Sequence, residues 1–65
     1  MRNLLTALSI TELPPGIDVK IYSLDDEMFR LMLWKYPGIS IQIKVDGRQD
    51  PVVISNRLDK ELENL

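Results

Sequence analysis

SLDDEMFRLMLWKYPG, residues 23 to 38, is the stretch on which the fold prediction depends. Ser23 is a good helix N-cap, because its hydroxyl can accept a hydrogen bond from a backbone N–H one turn on. Asp26 follows three residues later, where a carboxylate can complete a shortened capping box. Acidic residues in the first turn and Lys35 in the last complement the helix dipole, and Pro37 and Gly38 can end the helix. The sequence therefore predicts one long helix over this stretch.

The apolar surface of this predicted helix is wider than a lone surface helix needs. Its apolar residues span an arc of roughly 200°, whereas a stripe of about 100° suffices for packing on a core. One interpretation is that the domain covers this helix on two sides. The other is that part of the surface binds a partner or a second copy, because Trp and Arg are enriched at binding hot spots and large apolar patches are uncommon on monomers. The predicted partner-binding residues are Phe29, Arg30, Leu33 and Trp34.

The segment before this helix contains one ambiguous element and one clear strand. Residues 3–13 fit a strand, which Ser, Ile and Thr in the second half favour, or a short helix with Asn3 as its cap. Pro14, Pro15 and Gly16 predict a turn. Residues 17–22 alternate apolar and polar, which is typical of a half-buried strand.

The segment after the helix predicts two more strands and a short helix. Residues 39–45 alternate cleanly, and residues 46–50 form a turn signalled by the Asp-Gly pair. Pro51 can begin a strand over residues 51–54 that pairs back on the preceding one. Ser55 or Asn56 then caps a helix over residues 57–64, which is too short to be stable without docking.

These elements predict a single α+β domain over residues 1–65. The expected architecture is a small mixed β-sheet in the order β-β-α-β-β-α, with one long central helix packed on one face and a short C-terminal helix. The alternation in the strands predicts that the other face of the sheet is polar and exposed.

Composition narrows the function classes. The chain has 65 residues, no Cys and no His, which removes the commonest general base, the thiol nucleophile and most transition-metal sites. We therefore expect no enzyme, no metal and no cofactor. The net charge of −2 weighs mildly against nonspecific nucleic-acid binding and against an anionic membrane surface. The chain begins at Met1 without a signal-peptide pattern or a long apolar run, so we expect a complete small cytoplasmic protein.

Two functional hypotheses follow. The sequence favours a small intracellular protein-binding module that self-associates as a homodimer and acts as a regulator or inhibitor of another protein, of the kind that phages and mobile elements encode. The alternative, which the sequence favours less, is a nucleic-acid-binding regulator that uses the basic sheet face, because some RNA-binding modules stack bases on such a face. That face would present Lys20, Tyr22, Gln42, Lys44 and Arg48.

Overall fold

A computed structural model describes all residues from Met1 to Leu65. Its elements follow the order α-β-β-β-α: α1 is Arg2–Ile10, β1 Ile17–Ser23, β2 Met28–Lys35, β3 Ile39–Asp46 and α2 Pro51–Leu62. The three strands form one antiparallel sheet in the order β1-β2-β3. The fold is therefore a small α+β domain, and the predicted β-β-α-β-β-α order is wrong.

The predicted central helix does not exist, because the stretch from Ser23 to Gly38 forms a turn and the central strand of the sheet. In the turn, the Asp25 side chain accepts hydrogen bonds from the backbone N–H groups of Glu27 and Met28, both at 2.8 Å. Along β2, residues alternate between a buried and a more exposed side. The wide apolar arc of the helical interpretation is therefore the two faces of a central strand.

Of the three strands predicted after the ambiguous residues 3–13, two are confirmed and one is wrong. Residues 17–22 lie in β1 and residues 39–45 lie in β3, with a turn following at Gly47. Residues 51–54, predicted as a strand, instead form the first turn of α2. Asp50 caps this helix, because its side chain accepts from the Val52 N–H at 2.8 Å. Pro51 fits the first helical position, where a missing N–H breaks no hydrogen bond.

The terminal helices also differ from the predictions. The ambiguous residues 3–13 are mostly helical, since α1 spans Arg2–Ile10, and the strand interpretation of this segment is wrong. Asn3 does not cap α1; its side chain donates to the backbone carbonyls of Arg48 and Gln49. The C-terminal helix is longer than predicted, beginning at Pro51 rather than after Ser55 or Asn56.

Both helices pack on the same face of the sheet. Their apolar side chains form one buried cluster with the inward-facing residues of β2 and β3. Thr11 and Ser55 join the two helices through a buried hydrogen bond of 2.7 Å between their hydroxyls. Neither helix has the length and hydrophobicity that a membrane crossing requires. The core residues are Leu4, Ala7, Phe29, Leu31, Leu33, Ile43, Val45, Ile54 and Leu58.

Candidate functional site

The sheet face opposite the helices, which we call the open face, is covered by no other element. Because side chains alternate along a strand, cross-strand partners stand on the same face and the register defines rows across the sheet. Three complete rows cross the open face. From the β1–β2 turn outward they are Tyr22–Arg30–Lys44, Lys20–Met32–Gln42 and Asp18–Trp34–Ser40.

Four of the five residues predicted for a nucleic-acid surface lie together on this face: Lys20, Tyr22, Gln42 and Lys44. The fifth, Arg48, lies in the loop after β3 and engages two carboxylates. Its guanidinium bonds both oxygens of Asp46, at 3.1 and 2.9 Å, and reaches Glu27 at 3.0 Å. Arg48 is therefore a structural residue of that loop rather than part of the open face.

The four residues predicted to bind a protein partner are divided between the two faces of β2. Arg30 and Trp34 lie on the open face, beside the predicted nucleic-acid residues. Phe29 and Leu33 point into the core, with exposed fractions of 4% and 0%. A partner can therefore reach only Arg30 and Trp34 of this set.

Basic charge is concentrated on the open face of an acidic protein. Three of its nine residues are basic and one is acidic, so the face carries +2 while the whole chain carries −2. Asp46 and Met28 form the next row, and Arg48 pairs with that carboxylate. The surface outside the three rows therefore carries a net charge of −4.

None of the three cations on the open face has a salt-bridge partner, since both salt bridges of the protein involve Arg48. Arg30 stands directly opposite Lys44 in the register of β2 and β3. Like charges in directly opposed positions of a sheet are destabilising. Lys20 is diagonal to Arg30, so both lysines occupy positions of the sheet that neighbour Arg30. This arrangement favours an anionic ligand.

Aromatic and thioether groups lie among these charges. Tyr22 neighbours Arg30 in the first row and is 48% exposed. Trp34 is half-buried and packs edge-on against Tyr36, with ring centroids 6.3 Å apart. Asp18, Lys20, Met32 and Trp34 line a shallow depression of about 300 Å³. The open face thus offers flat π surface as well as positive charge.

The carboxylates with clearly shifted pKa values belong to the loops and not to the open face. The Arg48 side chain, followed by the Arg48 backbone N–H, lowers the pKa of Asp46 to about 2. The N–H groups of Glu27 and Met28 lower the pKa of Asp25. Hydrogen bonds to the charged form explain both shifts. No group of three or more His, Cys, Asp or Glu residues is arranged to hold a metal ion.

Met32 was missed by the sequence prediction, and Arg30 was assigned to the rim of a helix. Both lie on the open face through the alternation of Met28, Arg30, Met32 and Trp34 against the intervening apolar residues. That alternation was the signal that could have identified them. It was obscured because both faces of a central strand are rich in apolar residues.

Comparisons with known proteins give no relative from which to infer an activity. No protein-family model matches the chain, and searches of curated proteins and of solved structures return no match. The functional argument therefore depends on the geometry of the open face.

Proposed function

We propose that this protein binds single-stranded nucleic acid on its open face, in a binding rather than a catalytic role. The observation that supports this proposal most directly is that Arg30 and Lys44 lie opposite each other on adjacent strands without a carboxylate partner. A phosphate placed between them would relieve their repulsion. Lys20, diagonal to Arg30, extends the positive surface toward β1.

The aromatic residues favour a single strand over a duplex. Unstacked bases can stack on exposed aromatic side chains, and such stacking is worth about 1–3 kcal/mol per base. Tyr22 is exposed beside the cations, and Trp34 lines the depression one row beyond Lys20. Bases of a duplex remain stacked on each other and cannot use these surfaces.

A protein partner is the competing interpretation. Trp, Tyr and Arg are the residue types of protein hot spots, and all three occur on the open face. The helix with surplus apolar surface, on which the protein-partner hypothesis depends, has no counterpart in the fold. Because the cations have no carboxylate partner, such a protein would have to present acidic groups, so an acidic peptide is the informative competitor.

Binding of labelled oligonucleotides tests the proposal. We expect fluorescence anisotropy to show binding of a single strand of about 12 nucleotides, within the range of known single-strand sites. Log K should fall with log salt with a slope of roughly −2, as three neutralised phosphates on a single strand predict. A duplex of the same sequence and a poly-glutamate peptide serve as alternative ligands. Preference for either over the single strand contradicts the proposal.

Matched variants locate the binding surface. We expect the double variant Arg30→Gln/Lys44→Gln to weaken binding at least tenfold, or about 1.4 kcal/mol, and Tyr22→Leu to weaken it through lost stacking. The control Lys60→Gln removes one positive charge at an exposed position of α2, on the opposite side of the sheet. Equal losses for Lys60→Gln and for the single variants Arg30→Gln and Lys44→Gln would show that binding follows net charge alone, which contradicts a site on the open face.

A further inference from the structure

The two edges of the sheet are protected differently. On β3, the Arg57 side chain from α2 donates to the backbone carbonyl of Lys44. On β1, residues 18–22 make no backbone hydrogen bond except those with β2. The register of β1 is continuous from Ile17 to Ser23, without a bulge, and the strand contains no proline. An open, regular edge of this kind is a template for pairing with another strand.

The inward side of β1 is also incompletely covered. Ile17, Val19 and Ile21 face the helices but are only half-buried, whereas Leu31 and Leu33 on the adjacent strand are fully buried. A further strand beside β1 would place its own inward side chains against these three residues. The edge therefore has both backbone groups that are not paired with another strand and apolar surface that a partner could cover.

We infer that the occupant of this edge is β1 of a second copy, paired antiparallel about a two-fold axis at Val19. In the sequence Ile17-Asp-Val-Lys-Ile21, the positions on either side of Val19 carry opposite charges and are flanked by isoleucine at both ends. In this register Asp18 of each copy stands opposite Lys20 of the other, and Ile17 stands opposite Ile21. Neither Asp18 nor Lys20 has an ion-pair partner within its own chain, so the dimer supplies partners for both.

Neighbouring registers are disfavoured by the same residues. A shift of one residue places inward-facing side chains opposite outward-facing ones, which the pleat does not allow. Moving the two-fold axis to Asp18 or to Lys20 keeps the faces but sets like charges directly opposite, which is destabilising. In the register centred on Val19, opposed residues both have odd numbers or both have even numbers. The backbone N–H and C=O groups that point away from β2 in one copy therefore meet the corresponding groups of the other copy.

The dimer would be a six-stranded antiparallel sheet with all four helices on one side. Its interface is isologous, as closed two-fold symmetry requires. Arg30 and Lys44 lie away from the seam and stay accessible, whereas Lys20 belongs both to the seam and to the proposed nucleic-acid surface. Dimerisation itself does not require nucleic acid. Either proposal can fail while the other holds.

Charge reversal and charge exchange test the register. We expect light scattering across a concentration series to show a dimer. Asp18→Lys should raise the dissociation constant at least tenfold, since the introduced lysine then faces Lys20 of the other copy at both symmetric positions. The exchange variant Asp18→Lys/Lys20→Asp restores opposite charges across the seam and should recover dimerisation. Circular dichroism confirms that each variant is folded. A monomer at every concentration overturns the inference, as does a dimer that Asp18→Lys leaves unchanged.

Cross-linking gives a second measurement that does not depend on charge. The natural chain has no cysteine, so single introduced cysteines are unambiguous. We expect a short bis-maleimide, which adds one cysteine thiol at each end, to join Val19→Cys to itself and to join a mixture of Ile17→Cys and Ile21→Cys. Ile17→Cys alone should give little product, because its symmetric copies lie four residues apart along the seam. Equal cross-linking of Ile17→Cys and Val19→Cys contradicts the register.

Discussion

Gly47 is the residue at which the fold allows the least change. A Cβ at this position would lie 2.6 Å from Cε2 of Phe29 and 3.1 Å from the backbone oxygen of Glu27. Its N–H also donates to that oxygen at 2.7 Å. Since the Phe29 ring belongs to the core, it cannot move without disturbing its neighbours. We expect Gly47→Ala to lower the free energy of unfolding by about 1–3 kcal/mol, as overpacking does.

Gly38 is the matched control for this prediction. A Cβ there meets no atom within 4 Å, and neither Gly38 nor Gly47 has a positive φ. Gly38→Ala should therefore be neutral or slightly stabilising, because alanine reduces the entropy of the unfolded chain. Denaturant unfolding followed by Trp34 fluorescence measures both variants. Similar free energies of unfolding for the two would contradict steric conflict at Gly47.

At the scale of elements, side-chain capping signals do not distinguish the start of a helix from a turn, whereas strict alternation identifies a strand. β1 and β3 could be predicted because each alternates with one polar face. The helix predicted from Ser23 failed because Asx and Ser turns use the same side-chain chemistry as helix caps. Asp25 bonds the N–H groups two and three residues on, as a cap would, but the chain then enters β2.

At the two ends of the chain, the strand propensity of the residues is misleading. Val52, Val53 and Ile54 favour strands as residue types, yet they form the start of α2. Asp50 and Pro51 are a cap and a first helical residue, and this pair was the better signal. In α1, burial of Leu4 and Ala7 against the sheet decides for helix over the strand preference of the following residues.

The open face was partly predictable for the same reason as the strands. Alternation alone placed Lys20, Tyr22, Gln42 and Lys44 on one polar face. Arg30 and Trp34 were selected for their residue types on a helix that does not form, and the strand places them on the open face. Phe29 and Leu33 could not be separated from them without knowing that the period is two rather than 3.6.

The two helices are coupled by one buried polar pair. Thr11 Oγ1 donates to the Ala7 carbonyl at 2.6 Å and shares a hydrogen bond with the Ser55 hydroxyl. We expect Thr11→Val and Ser55→Ala each to cost about 1–3 kcal/mol, since each leaves a buried polar group without this partner. The double variant should cost less than the sum of the two, with a coupling of about 0.5–3 kcal/mol.

Thermal and denaturant unfolding of the four proteins in this cycle measures the coupling. Ser9→Ala provides the control, because the Ser9 hydroxyl bonds Thr6 on an exposed side of α1. Its effect should be small and should add to that of Ser55→Ala. Strict additivity of Thr11→Val and Ser55→Ala would show that the hydrogen bond between the helices contributes nothing to stability.

At the scale of the whole molecule, the loop after β3 connects four parts of the fold. Gly47 and Arg48 contact Glu27 in the β1–β2 turn, and Asn3 of α1 donates to the carbonyls of Arg48 and Gln49. Asp50 then caps α2. The ion pair between Asp46 and Arg48 lies at this junction. Protonation of the Asp46 carboxylate is therefore expected to affect unfolding of the whole domain.

The sign of the resulting pH dependence follows from the pKa of Asp46. Folding lowers this pKa from its usual 3.8 to about 2. The unfolded chain therefore binds more protons in that interval, and stability decreases as the pH is lowered. The Asp46–Arg48 contribution to stability is complete above about pH 4 and is lost as the pH approaches 2.

We expect Asp46→Asn to lower Tm at pH 7, with the Tm difference from the natural protein shrinking below about pH 4. Asp26→Asn, which removes a turn carboxylate without an ion pair, should show no such convergence. A Tm difference for Asp46→Asn that stays constant down to about pH 2 would mean that the pair does not stabilise the fold.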